Sequence, residues 1–109
     1  MRDLTELNRL EEYLKVNGIP YERISKDTEY DPEYPYYLIA LERHQLIVYD
    51  ERGNRLWDAI CHEGSYGAEE GLLEIYGEIV SPTAGDSVEG WLTAKDVIER
   101  IERRKGAEE

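Results

Sequence analysis

The sequence has no phenylalanine, one cysteine and one methionine, and no lysine or arginine between Arg55 and Lys95. Each scarcity excludes something. A lone cysteine makes no internal disulfide, which fits a reducing, intracellular setting. No apolar run approaches the ~18 residues that span a bilayer, and the amphipathic, charged start "MRDLTELNRL" is unlike a signal peptide. The base-free stretch carries Asp58, Glu63, Glu69, Glu70, Glu74, Glu78, Asp86 and Glu89, and the whole chain has a formal net charge of −12. Direct nucleic-acid binding needs cations that displace counterions from phosphates, and an anionic membrane surface needs the same. Both partner classes are therefore disfavoured.

What is present is the composition of a single globular domain: 109 residues, 40% hydrophobic and 35% charged. Leu4, Leu7, Leu10 and Leu14 form one stripe of a helix from about Leu4 to Asn17, with capping-box spacing at Asp3 and Glu6. Gly18 and Pro20 stop it. "YERI" (21–24) reads as a short strand and "SKDTEYDPEYP" (25–35) as a loop. Strands follow at about 36–41 and 44–50, then a "DERGN" turn and a return strand, 55–62. Leu46, Ile47, Val48 and Tyr49 make both faces of the second of these strands apolar. That predicts a central strand covered twice, or one covered once and buried in a homodimer. Apolar spacing predicts a helix over 68–79, a loop over 81–90, and a last helix over 94–105 behind a Thr93/Asp96 capping box. The order α-β-β-β-β-α-α predicts an α+β domain: an antiparallel sheet of three or four strands packed with three helices.

Chemistry concentrates in "CHEGSYGAEEGLLEIYGEIV" (61–80), which holds the cysteine, one of two histidines, four glycines and five glutamates. Four readings compete. A phosphate cradle at "GSYGAEEG" lacks the lysine and Ser/Thr of a P-loop and puts Glu69 and Glu70 where they repel an anion. A ribose or base could still sit against Trp57, His62, Ser65, Tyr66, Gly67 and Glu69. A thiol site needs Cys61 and a histidine within hydrogen-bond reach, yet adjacent strand residues such as Cys61 and His62 point apart, leaving His44 as partner. A metal site on Asp58, His62 and Glu63 lacks any recognised ligand spacing, so no metal or cofactor is expected. The fourth reading is an acidic partner surface. On the expected helix Glu70, Glu74 and Glu78 fall in one row, unrelieved by any base, with Glu63 nearby.

The tyrosines point the same way. Nine Tyr and two Trp with no Phe favour positions that are apolar at one end and wet at the other. "YDPEYPYY" (30–37), with Tyr30 and Tyr34, has the character of a recognition segment.

"RHQLIVYDERGNRLWDAICHEGSYGAEEGLLEIYGEIV" (43–80) and "DSVEGWLTAKDVIERI" (86–101) resemble a family of small, mostly uncharacterised proteins of bacterial prophages and mobile elements. The resemblance covers about half the chain and includes no catalytic signature. It implies a cytoplasmic host setting. It also implies an accessory role such as blocking a host enzyme or defence system, as acidic anti-CRISPR and anti-restriction proteins do, or sequestering a nucleotide immune signal.

The leading expectation is a non-catalytic binding protein that inhibits a host defence protein by occupying a basic, nucleic-acid-binding surface. Its contact residues would be Glu63, Glu70, Glu74, Glu78, Tyr30 and Tyr34. The alternatives are a nucleotide-signal sponge with its pocket at the GSYG loop, and a hydrolase-type enzyme using Cys61 and His62.

Overall fold

The computed structural model describes residues 2–80 and 88–108. It is α+β and antiparallel, as expected, but with two α-helices and more strands than expected among the described residues. In chain order these are α1 (Thr5–Val16), β1 (Tyr21–Lys26), β2 (Glu29–Tyr30), β3 (Leu38–Ala40), β4 (Arg43–Tyr49), β5 (Arg55–Ile60), a 3₁₀ turn (Ala68–Glu70), β6 (Leu73–Gly77), β7 (Val88–Leu92) and α2 (Ala94–Glu108). One sheet runs β1-β4-β5-β6-β7; β2 and β3 pair separately.

Alternation sets the two faces of the large sheet. Leu46 opposes Ala59, Val48 opposes Trp57, and Ala59 opposes Ile75. These residues join Leu7, Leu10 and Leu14 of α1 and Val97 and Ile101 of α2 in one core cluster. The two helices pack on each other, α1 also on β4 and α2 on β7. The opposite face explains the two-sided burial of β4. Arg43 Nε donates to Gln45 Oε1 at 2.9 Å, and Gln45 Nε2 donates to Asp58 Oδ2 at 2.5 Å. Arg55 Nη2 reaches the same carboxylate oxygen at 2.5 Å. This polar ladder runs beside the Ile47–Asp58 pair, and Gln45, Ile47 and Asp58 are all buried. One chain thus accounts for the burial of β4 without a second copy.

Helix ends are tied across the fold. Asp3 Oδ1 accepts the Thr5 N–H at 3.0 Å, but Glu6 does not close the expected box. Its Oε1 instead accepts the Ala94 N–H of α2 at 2.9 Å, while Oε2 pairs with Arg9. The Thr93/Asp96 box forms as expected, with Thr93 N to Asp96 Oδ2 at 3.0 Å and Asp96 N to Thr93 Oγ1 at 3.2 Å. The Asp50–Asn54 turn also forms, with Asp50 Oδ1 accepting from Arg52 and Asn54.

The helix expected over 68–79 does not form. Gly67 and Gly71, both left-handed, bracket one 3₁₀ turn and stop it. Beyond them Leu73 and Ile75 face the core while Glu74 and Tyr76 face the other way, so period two overrides the helical spacing of Leu72, Leu73 and Tyr76. Of the loop expected over 81–90, residues 88–90 belong to β7 and 81–87 lie outside the described residues.

Gly77 closes β6 at φ 118°, where a Cβ would sit 2.5 Å from Leu56 O and 2.7 Å from Trp57 Cα. Gly18 is also left-handed, at φ 63°, but has open space around it. Gly18→Ala is therefore expected to cost about 1 kcal/mol, the conformational strain alone. Gly77→Ala should cost at least ~2 kcal/mol more, because backbone must move. Urea denaturation of the two variants checks this, and equal losses would contradict the packing described.

Candidate functional site

Among the described residues, the most exposed apolar part is the β2–β3 hairpin. Asp31 Oδ1 accepts the N–H groups of Glu33 and Tyr34, the Tyr37 N–H donates to Tyr34 O, and the Asp31 N–H donates to Tyr37 O, so the tip is a hydrogen-bonded turn. The segment expected to be a loop thus becomes an arm, with β2 paired to β3. Its side chains find no core. Tyr30, Tyr34, Tyr36, Tyr37, Leu38, Ile39 and Leu41 are all exposed, Tyr36 at 96%. Tyr34 and Tyr37 meet edge to face at 5.9 Å. The molecule measures 56 × 28 × 22 Å, and its radius of gyration, 15.1 Å, exceeds the ~13 Å of a compact chain of this length. Residues 27–42 include Asp27, Glu29, Asp31, Glu33 and Glu42 and no base.

The arm's base is built from polar groups. Arg2 binds Glu42 through Nε and Nη2, and Glu42 Oε1 also accepts the Glu63 N–H at 2.7 Å. The Arg2 hydrogen bond holds the Glu42 carboxyl below its usual range. His44, 3% exposed, places Nδ1 3.0 Å from Ser25 Oγ. Its Nε2 lies 3.4 Å from Glu42 and 3.7 Å from Asp27 without a hydrogen-bond partner. A cavity of about 470 Å³ opens between Arg2, Asp27, Thr28 and Glu42. A second, of about 480 Å³, shares Arg2 and is lined by Glu63, Ser65, Tyr66, Glu69, Glu70 and Trp91. An acidic surface therefore continues from the arm's base to the 64–70 loop.

The expected site residues divide. Tyr30 and Tyr34 stand on the arm, and Glu63 and Glu70 line the second cavity. Glu70, Glu74 and Glu78 form no helical row: Glu70 ends the 3₁₀ turn, Glu74 lies in β6 and Glu78 follows it. Glu74 Oε1 accepts the Tyr66 N–H at 3.1 Å, and Glu78 pairs with Arg104 at 3.5 Å. Of the alternative pocket, Ser65, Tyr66, Gly67 and Glu69 do converge. Trp57 does not; it is buried in the core. His62 turns inward, its Nδ1 accepting the His44 N–H at 3.1 Å. The recognition segment expected over 30–37 covers Tyr36 and Tyr37, but the sequence reading missed Trp91, which stacks on Tyr66, and the exposed continuation Leu38 to Leu41. The signals were Gly90 beside Trp91 and an apolar run following two prolines.

Cys61 is fully buried and contacts Asp3 O at 3.7 Å; burial pushes its thiol up, away from the thiolate a nucleophile requires. Among the described residues no group of three His, Cys, Asp or Glu side chains could hold a metal, and no helix is long and apolar enough to cross a membrane. Comparison of the chain with protein-family models, curated proteins and solved structures finds no match.

Burial holds the His62 imidazole below its usual 6.5. A base whose folded-state value is depressed contributes stability that is complete above about pH 6.5 and is lost as pH falls through the folded value. Urea midpoints should therefore decline as pH drops from 7 through this window. His62→Gln, which keeps an acceptor for the His44 N–H, should flatten that decline. The loss linked to Glu42 is separate and begins only below about pH 4.5.

Proposed function

We propose that the protein is a non-catalytic binding protein whose arm docks on a basic-rimmed apolar cleft of a protein partner. The observation that carries this is the union, in residues 27–42, of seven exposed large apolar side chains with five acids and no base. Large aromatic and aliphatic side chains supply the buried anchor of an interface, and surrounding charge selects the partner and speeds encounter. A patch this apolar is uncommon on a protein that works alone.

Charge decides which occupant fits. A second copy would bring another −12 against an arm that is itself purely acidic. A cationic surface removes that repulsion. In its narrowest form the partner is a host defence protein, and the surface occupied is one that otherwise binds nucleic acid. A cytoplasmic site of action belongs to the same reading. The nucleotide-sponge alternative is less well supported, because the charged groups lining the cavity at the 64–70 loop are three glutamates and an arginine already paired with Glu42, and Trp57 and His62 do not line it.

The test uses affinity capture from the source cells with wild type and two variants, followed by calorimetry with the captured protein. One variant is Tyr36→Ser with Leu38→Ser and Ile39→Ser. The other is Glu29→Gln with Asp31→Asn and Glu33→Gln. Both should keep the wild-type unfolding free energy within ~0.5 kcal/mol in urea, because these side chains touch no core. The first should lose binding by at least ~100-fold, the loss of a hot-spot cluster. The second should bind more slowly and lose most of the salt dependence of association. Sedimentation of the protein alone should show a monomer. An arm-dependent dimer, or capture unaffected by either variant, would remove the proposal.

A further inference from the structure

The second cavity has a chemistry of its own. Tyr66 and Trp91 stack with centroids 5.0 Å apart and planes inclined by 22°, yet they stay 51% and 58% exposed. The backbone is shaped around them. A Cβ on Gly90 would collide with the Tyr66 Cβ, and one on Gly67 would lie 3.0 Å from Trp91 Cα. The Trp91 N–H donates to Tyr66 O at 3.2 Å. The result is a rigid aromatic wall facing water in a cavity of about 480 Å³.

The other lining groups fix the charge of a ligand. Glu63, Glu69 and Glu70 are exposed, and the one base, Arg2, is engaged by Glu42. An anion would need free N–H donors from the loop. The Ser65 N–H donates to His62 O, the Tyr66 N–H to Glu74, the Ala68 N–H to Ser65 O and the Glu70 N–H to Gly67 O. A phosphate therefore meets three carboxylates and a loop in which the Ser65, Tyr66, Ala68 and Glu70 donors are already taken. A cation meets the outer, negative face of one ring of the stacked pair, together with three carboxylates. A flat cation with several N–H groups uses both, by stacking on the ring and donating to the carboxylates.

We propose that this cavity binds a guanidinium group, the arginine side chain of a protein partner. The site is separate from the arm and is tested without it. The probe is the capped peptide Gly-Arg-Gly, titrated at low salt against isotopically labelled protein and followed by NMR at the amides of residues 64–70 and the Trp91 indole. The controls are the same peptide with citrulline, which keeps shape and loses charge, and adenosine monophosphate, a planar anion. The arginine peptide should give saturable shifts confined to this cavity, and the citrulline peptide should bind about fivefold more weakly. Adenosine monophosphate should leave the signals in place. Glu69→Gln with Glu70→Gln should weaken arginine binding by a similar factor while leaving the fold's spectrum intact. Trp91→Gly, which also relieves a φ of 55°, should abolish it. The arm variants should leave it unchanged. Equal affinity for citrulline, tighter binding of adenosine monophosphate, or indifference to the Glu69/Glu70 change would each overturn the assignment.

Discussion

One carboxylate, Glu42, gathers three parts of the chain that sequence separates widely. It binds Arg2 near the N-terminus and the Glu63 backbone at the end of the central hairpin, and it stands beside His44 at the start of β4. Its side chain is only 10% exposed, so the ion pair with Arg2 is shielded and geometrically held, unlike a surface pair. Because Glu42 is also the last residue before β4, the same contact fixes where the arm leaves the sheet. Arg2 then forms part of the lining of both cavities. The acidic surface owes its continuity to this one neutralised pair: the only base in it is already bound.

Much of the scaffold was legible. The leucine stripe of α1, the Thr93/Asp96 box of α2 and the Asp50–Asn54 turn are local signals, and local signals decided those elements. The helix expected at 68–79 failed for a physical reason that the residues also carried. Two glycines ending one turn outweighed apolar residues spaced three and four apart, and a strand pairing with β5 took the rest. Of the two covers expected for β4, burial on both sides within one chain accounts for its residues, but the groups that cover the second face had no signal. A ladder of Arg43, Gln45, Asp58 and Arg55 is a tertiary arrangement with no sequence period.

The candidate site was less legible than the fold. Tyr30 and Tyr34 marked the arm, and Ser65, Tyr66 and Glu69 marked the cavity, because residue type alone raises those positions. Trp91 was missed because its stacking on Tyr66 needs β7 beside the 64–70 loop, a neighbourhood that only the β6–β7 pairing creates. Cys61 and His62, expected in the return strand, lie just past the end of β5 at Ile60, and they still diverge: one enters the core, the other accepts a backbone hydrogen bond.

The arm carries a further consequence. None of its exposed apolar side chains belongs to the core cluster, and its two strands hydrogen-bond only with each other. Folding therefore places almost no demand on which residues occupy positions 32 to 41, apart from the turn. A segment freed in this way can change sequence while the sheet and helices that hold it stay the same. The division of labour makes the molecule a fixed handle with a replaceable tip.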